Sequence, residues 1–302
     1  DPPGASAAVG LILSVVATAV GRLPRWPATW LGRGMGNLAF VALPSRRRLA
    51  MANLALAFPG MVPAGRRRVC RGSFQHLGLM FVELCAAMTA PPERILAGIT
   101  LVGMEHLKDA MAKHGRVLVL TAHLGNWELL ALAHKLTGIP TTVVMRPLDA
   151  TWLDMLADRL RQRSGIELVD KRNALRPVLG ALHRGRMVAL LLDQNASRRE
   201  GIFVSFFGRP ASTSKSLAVL AVRTRTPVVP IFIYRERLGE HRIEIHPSFG
   251  VEAEADSEQA VAELTQRCTA TIEKAVTVAP DQWLWVHNRW RTKPAPPEEP
   301  RP

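Results

Sequence analysis

The hydrophobic positions follow one pattern before residue 100 and another after it. In the first part, apolar residues come in long stretches and helical periods. Residues 2–21 carry no charge, and 5–21 are mostly Ala, Val, Leu and Ile. Those 17 residues would make roughly 26 Å of helix at about 1.5 Å per residue, the lower limit of a membrane span. A second apolar stretch, 34–43, ends at Pro44, and a helical pattern then runs on to Phe58-Pro59. Across 69–88, Phe74, Leu77, Phe81, Leu84 and Cys85 recur at spacings of three and four, the period of an amphipathic helix.

Beyond residue 100, short apolar runs alternate with helical patterns. Strands are expected at 117–122 (bounded by Gly115), 141–145, 168–169, 187–192, 228–234 and 242–246, the last two pairing through a turn at Gly239. Helices are expected at 126–136, 151–164, 176–184, 214–225 and 258–276. This alternation predicts an α/β fold, a β-sheet flanked by helices. There is no internal repeat, and the Pro/Glu-rich tail 294–302 is expected to be disordered. The organisation expected is an N-terminal helical membrane anchor or interface region over 1–44, a single domain over 45–293, and the tail. Trp26 and Trp30 lie among Arg22, Arg25 and Arg33, the mixture that a cytoplasmic membrane interface selects. Residues 17–19, Ala-Thr-Ala, resemble a signal-peptidase site, but the stretch before them opens with Asp1 and has no basic n-region, so export is not expected.

Charge changes this picture. The chain of 302 residues carries a formal +14, yet 48% of it is hydrophobic. The apolar content excludes a disordered chain, because enough surface can be buried to offset chain entropy. Of the 39 basic residues, 32 are Arg, whose guanidinium fork suits phosphate, although a GC-rich genome would also favour Arg. Residues 1–100 hold 11 Arg, no Lys and three acids (Asp1, Glu83, Glu93), so a third of the chain carries more than half the charge. The triplets Arg46–Arg48 and Arg66–Arg68, beside an apolar stretch, point to a membrane-facing surface. A nucleic-acid partner fits the charge alone; the chain has a single Tyr and no recognisable nucleic-acid motif. Cys70, Cys85 and Cys268 have no metal-like spacing and form no disulfide framework, in keeping with a reducing compartment.

Four segments carry candidate chemistry. In the first, residues 121–128, His123 follows a strand and precedes a helix, with Glu128 five positions on. On one helix the two side chains would diverge by about 500° of rotation. They meet only if His123 sits in the turn before the helix, which Gly125 permits. There Glu128 would hold one imidazole nitrogen and leave the other as a base. A lone His at a strand end also serves as a structural hydrogen-bonder. The second segment, Asp193-Gln194-Asn195, lies at the C-terminal end of a strand, where ligands of open α/β sheets gather and where ordinary helix caps also occur. In the third, 206–216, a Ser/Thr cluster precedes a helix; it reads as a cap, or with Arg209 and Lys215 as a phosphate site. The fourth, 281–290, packs three Trp into eight residues, with Arg289 and Arg291 as possible anion contacts.

Together these segments resemble the lysophospholipid acyltransferase superfamily, and within it the bacterial lipid A biosynthesis late acyltransferases of the lauroyl/myristoyl type. The resemblance covers about residues 45–293. His123 and Glu128 match the His-x4-Asp/Glu motif, and Asn53-Leu54 with Phe58-Pro59 an N-terminal helical motif. Arg146-Pro147 matches an Arg-Pro after the next strand, and Asp193-Gln194-Asn195 an Asp-Gln-Asp/Asn segment. Phe207-Gly208-Arg209-Pro210-Ala211 with Thr213 matches a Phe-Phe-Gly-x-Pro-Ala block, and Trp285, His287, Arg289 and Trp290 a Trp-x-His-x-Arg-aromatic signature. The resemblance implies a mixed sheet of the glycerolipid acyltransferase type and a membrane-associated O-acyltransferase. An acyl thioester, acyl carrier protein (acyl-ACP) or acyl-CoA, would donate to a hydroxyl of a lipid A precursor or related glycolipid. His123 would be the base and Glu128 its orienter. Asn126, Arg146, Asp193, Gln194, Asn195, Gly208, Arg209, Pro210, Thr213 and Arg289 would bind substrate. Backbone N–H groups after His123, or Arg146, would face the oxyanion. No metal or redox cofactor is expected, because the thioester is already activated. The expected partners are acyl carrier protein, the lipid acceptor and the anionic inner leaflet, on the cytoplasmic face of a bacterial inner membrane. The alternatives are the same chemistry on another lipid (a phosphatidylinositol mannoside, lysophospholipid or aminolipid) and a non-catalytic membrane-surface module.

Overall fold

The first third of the chain folds as helices: α1 (15–21), α2 (Arg25–Ala42), α3 (Pro44–Ala57), α4 (Pro63–Thr89) and α5 (Pro92–Leu96). The computed structural model describes residues 15–145, 160–250 and 258–294. Pro stands at the start of α3, α4 and α5, where its missing N–H costs nothing and its fixed φ suits the first turn. Pro44 therefore ends one apolar stretch and opens the next helix. The anchor expectation rests mostly on residues 1–14, outside the described residues. Among the described residues no helix is long and apolar enough to cross a membrane.

α2 lies directly on α4, and glycines set how closely. Gly32 and Gly36 stand one turn apart on α2 opposite Gly78 of α4. A Cβ on Gly78 would run into the Gly32 carbonyl oxygen, and one on Gly36 into the Phe74 carbonyl oxygen. Phe40 and Phe74 meet edge to face beside this contact, with ring centroids 5.6 Å apart.

The remaining elements are β1 (Ile99–Val102), α6 (Met104–His114), β2 (Val117–Thr121), α7 (Leu130–Ala133), β3 (Thr141–Met145), α8 (160–164), β4 (Glu167–Asp170), α9 (Leu175–His183), β5 (Met187–Leu191), β6 (Gly201–Phe206), β7 (Arg209–Ser214), α10 (Ser216–Thr224), β8 (Val228–Arg237), β9 (Glu240–Ile245) and α11 (Glu258–Val278). Seven strands form one sheet in the order β1-β9-β8-β2-β5-β3-β4. Its pairs are parallel except β8–β9, an antiparallel hairpin that turns at Gly239, where φ is +75°. The sheet is thus mixed, as expected. Side chains alternate between its faces. Leu118, Leu120, Val188 and Leu190 join one core with α10, α11 and the C-terminal tryptophans. Val117, Val119, Met187 and Ile231 join the other, with Leu84, Leu107 and Leu132.

Several expectations change in detail. β1 and α6 arise where neither was anticipated, α6 being bracketed by Gly103 and Gly115 in left-handed conformations. The helix expected at 126–136 is broken into a 3-10 turn (Trp127–Leu129), α7 and a second 3-10 turn (His134–Leu136). Of the helix expected at 151–164, residues 151–159 lie outside the described residues, and so does the tail from 295. Residues 206–214, where a helix cap or phosphate site was expected, instead belong with 201–205 to the β6–β7 hairpin. Its turn residues Phe207 and Gly208 both have positive φ, the geometry that matches strand twist. The three cysteines are buried and free, and burial pushes the Cys85 and Cys268 thiols up to about 12.

The α2–α4 contact can be tested. Overpacking costs about 1–3 kcal/mol, so Gly36→Ala should lower the melting temperature by about 2–10 °C. Gly34→Ala, where a Cβ meets nothing within 4 Å, should not lower it. Equal melting curves by circular dichroism would remove the close-contact explanation.

Candidate active site

β2 and β5 are parallel, with Thr121 in register with Leu191. Two residues past that pair, His123 and Asp193 leave the sheet side by side at its C-terminal edge, where open α/β sheets bind ligands. Asp193 Oδ1 lies 2.8 Å from His123 Nδ1. Asp193 Oδ2 accepts the His123 backbone N–H at 2.9 Å and the Trp283 indole N–H at 2.8 Å. Burial alone would raise the Asp193 pKa, but His123 and these hydrogen bonds outweigh it and hold the carboxyl at about 2. An ionised carboxylate only accepts, so Nδ1 carries a proton, and in the neutral ring the lone pair is on Nε2. Nε2 meets the Gln194 side-chain amide at 3.1 Å. The Trp127 ring stands edge-on to the imidazole, centroids 5.1 Å apart.

The turn that carries His123 is held from the C-terminal segment. Gly125 N–H donates to Gln282 O at 3.0 Å, and Leu284 N–H donates to His123 O at 3.2 Å. Gly125 has φ +59°, and a Cβ there would strike the Ile233 carbonyl oxygen of β8. Glycine is therefore required for both the turn and its seat on the sheet.

The structure corrects the role expected of Glu128. The 3-10 turn aims its carboxylate at Arg161, whose Nη2 donates to both oxygens at 3.0 and 3.1 Å. The carboxylate on His123 Nδ1 is Asp193. Glu128 and Arg161 line the same cavity as His123, which has a volume of about 700 Å³. The cavity is walled by Leu101, Val119, Met187, Ile231, Ile243 and Ile245, side chains from β1, β2, β5, β8 and β9. Five adjacent strands span about 19 Å at ordinary spacing. Polar lining comes from Arg46, Lys171, Gln194, Asn195, Ser214, His287 and Arg291.

The other expected substrate residues divide. Gln194 and Asn195 line the cavity. Asn195 also ties the C-terminal segment down: its Oδ1 accepts Thr292 N–H at 3.0 Å, and its backbone N–H donates to His287 Nε2 at 3.0 Å. Burial, first of all, holds the His287 pKa down at about 4, so this ring is a neutral acceptor. Asn126 is buried behind the turn and donates to Glu83 Oε2 at 2.8 Å instead of facing the cavity. Thr213 and Arg289 are interior as well: Arg289 donates to Ser212 O at 2.7 Å and stacks over Phe206, joining the C-terminal segment to β7. Gly208, Arg209 and Pro210 are exposed at the β6–β7 turn, outside the cavity lining, because this block forms a hairpin. Arg146 lies outside the described residues. Arg161 was missed, since a basic residue on a helical pattern reads as a solvated face. Trp283 was given no role in the site, although its N–H is what meets Asp193.

A histidine with one nitrogen on a buried carboxylate, beside a cavity with an aliphatic wall, is an arrangement that enzymes using general-base chemistry share. The family model for bacterial lipid A biosynthesis acyltransferases matches residues 6–292, and the chain belongs to that family. It is an enzyme that transfers acyl groups. The chain is similar to the lipid A biosynthesis lauroyltransferase of Escherichia coli, 29% identical over 268 residues, covering 87% of this chain and 85% of that protein. The lipid A biosynthesis palmitoleoyltransferase of the same organism is 28% identical over 277 residues, covering 90% and 88%. A phosphatidylinositol mannoside acyltransferase of Mycobacterium tuberculosis is 25% identical over 192 residues, covering 62% and 58%. Among solved structures, the 1-acyl-sn-glycerophosphate acyltransferase of Thermotoga maritima gives a TM-score of 0.36 at 14% identity, covering 78% of this chain and 97% of that one, too loose a likeness to support a structural comparison.

Replacing Asp193 by Asn should leave the turn folded but lose the charge that supports an imidazolium. The expected result is a fall in kcat of about 10²–10⁴-fold with KM little changed. A near wild-type kcat would leave the pair without a catalytic role.

Proposed function

We propose that the chain transfers a fatty acyl group from the thioester of acyl-ACP to a hydroxyl of a lipid A precursor or related glycolipid. The observation that carries this reading is that His123 lines a cavity with an aliphatic wall while its Nδ1 is bound to Asp193. In the proposed step the acceptor hydroxyl displaces the Gln194 amide from Nε2. His123 takes the hydroxyl proton as the oxygen attacks the thioester carbonyl, and Asp193 supports the imidazolium. Collapse of the tetrahedral intermediate breaks the C–S bond, and the thiolate takes the proton from His123. The products are an ester and a free thiol, and no protein nucleophile is needed. The apolar wall would hold the acyl chain, and the lauroyl- and palmitoleoyl-transferring relatives support a fatty acyl donor. The mannoside-acylating relative supports, more weakly, a different glycolipid acceptor.

Purified protein with acyl-ACP and a lipid A precursor should give the acylated product by mass spectrometry. His123→Ala should lose nearly all turnover, and wild-type turnover in that variant would contradict the mechanism. The lipid that accumulates in a deletion strain separates a lipid A precursor from another glycolipid.

Membrane association at the cytoplasmic face of the inner membrane belongs to the same proposal. Trp26, Trp30, Leu38 and Val41 make an exposed stripe on α2, each about 70% accessible. Exposed Arg22, Arg33, Arg46 and Arg48 flank it. Such a face suits the boundary of an anionic bilayer. Trp26→Ser/Trp30→Ser should reduce co-sedimentation with vesicles containing anionic lipid. Unchanged binding would exclude this stripe as the contact.

A further inference from the structure

Behind the catalytic turn lies a group of ionisable side chains that the proposed acyl transfer leaves unused. Glu83 and His76 of α4, Arg235 of β8 and His241 of β9 are all buried and outside the cavity lining. Arg235 grips Glu83 with both arms of its guanidinium, Nε to Oε1 at 2.8 Å and Nη2 to Oε2 at 2.7 Å. Glu83 Oε1 also accepts Gly239 N–H at 3.2 Å and lies 3.2 Å from His241 Nε2. The third guanidinium nitrogen, Nη1, donates to His76 Nδ1. That contact fixes the His76 tautomer: its proton is on Nε2, which donates to the Gly125 carbonyl oxygen at 3.1 Å. The next residue, Asn126, donates its amide to Glu83 Oε2 at 2.8 Å.

The network reaches the other side of Gly125 as well. Gln282 is clamped to the Arg235 backbone, Nε2 to O at 2.9 Å and N–H to Oε1 at 2.8 Å. The same Gln282 accepts Gly125 N–H. Both polar atoms of the Gly125 backbone therefore end on groups set by Arg235, two residues after His123. A buried ion pair is a poor way to gain stability, since apolar residues of similar volume often do as well or better. What it supplies is direction: fixed donors and acceptors around one turn.

We propose that Glu83, Arg235 and His76 are positioning residues of the acyl-transfer reaction, which fix the Gly125–Asn126 turn and thereby the seating of the His123 ring against Asp193. This rests on His123 being the base. The test uses the full chain in detergent, comparing wild type with Glu83→Gln/Arg235→Met and with Asn126→Ala. The readouts are thermal melting, kcat and KM with acyl-ACP and the lipid A precursor, and the downfield proton signal of His123 Nδ1–H, assigned by its loss in His123→Ala. Removing both charges together avoids stranding either one, so the double variant should melt within about 5 °C of wild type. Its kcat should nevertheless fall about 10- to 100-fold, with KM within about threefold, because small misplacements of a reacting group are costly. Its Nδ1–H signal should shift or broaden. A double variant with wild-type kcat and an unchanged signal overturns the proposal, as does a kcat loss that disappears once rates are scaled to the folded fraction. If the double variant does not fold, Asn126→Ala decides, because it leaves the ion pair intact. A several-fold fall in kcat with KM unchanged supports positioning, and wild-type kcat with an unchanged signal overturns it. If wild type turns over no lipid A precursor, the reading of the acceptor has failed, and the Nδ1–H signal still decides the positioning claim.

Discussion

A carboxylate stays ionised inside a protein only where donors replace the water it has lost. The donors that meet Asp193 come from two distant places, the His123 turn after β2 and the Trp283 indole after α11. The strands β2 and β5, and the C-terminal segment, must therefore all be assembled before this one group is satisfied. That requirement explains why the tryptophan-rich segment crosses the mouth of the site, bridged to Leu124 at Trp283. It would also set the chemistry of the proposed transfer, because a proton held on Nδ1 places the neutral ring's lone pair on Nε2.

α4 links this site to the outer helices. One stretch of it receives α2 through the glycine contact at Gly78; His76, just before that glycine, and Glu83, just after it, reach under the His123 turn. Near its start, Gly72 packs against Asp281, just ahead of the residues that strap His123. The face of α2 that carries Trp26 and Trp30 and the turn that carries His123 are thus built on the same helix. A lipid substrate delivered along that face would meet a site whose orientation to the surface is fixed.

What could be read from the chain was local. The apolar runs of β2 and β5 and the position of His123 in a turn, permitted by Gly125, followed from short-range pattern. The partner of His123 did not. Asp193 stands 70 residues away, and only the parallel register of Thr121 with Leu191 brings the two together. Nearness in sequence favoured Glu128, yet the 3-10 turn turns it to Arg161. The β6–β7 hairpin escaped because β7, Arg-Pro-Ala-Ser-Thr-Ser, has no apolar alternation. Arg289 and Asn126 were expected as substrate contacts from the resemblance; burial gives them interior partners. Glu83 did leave a signal, one of three acids in the basic first third and set between Val82 and Leu84.

The most direct test of His123 as the base beside an acyl-chain cavity is a crystal structure with a non-hydrolysable thioether analogue of the acyl donor. The aliphatic chain should lie along the face formed by β1, β9, β8, β2 and β5. The carbon standing for the thioester carbonyl should sit where an acceptor oxygen could approach it within about 3–3.5 Å while hydrogen-bonded to His123 Nε2. A chain bound outside this cavity, or a reacting carbon that no such oxygen could bridge to Nε2, would contradict that role.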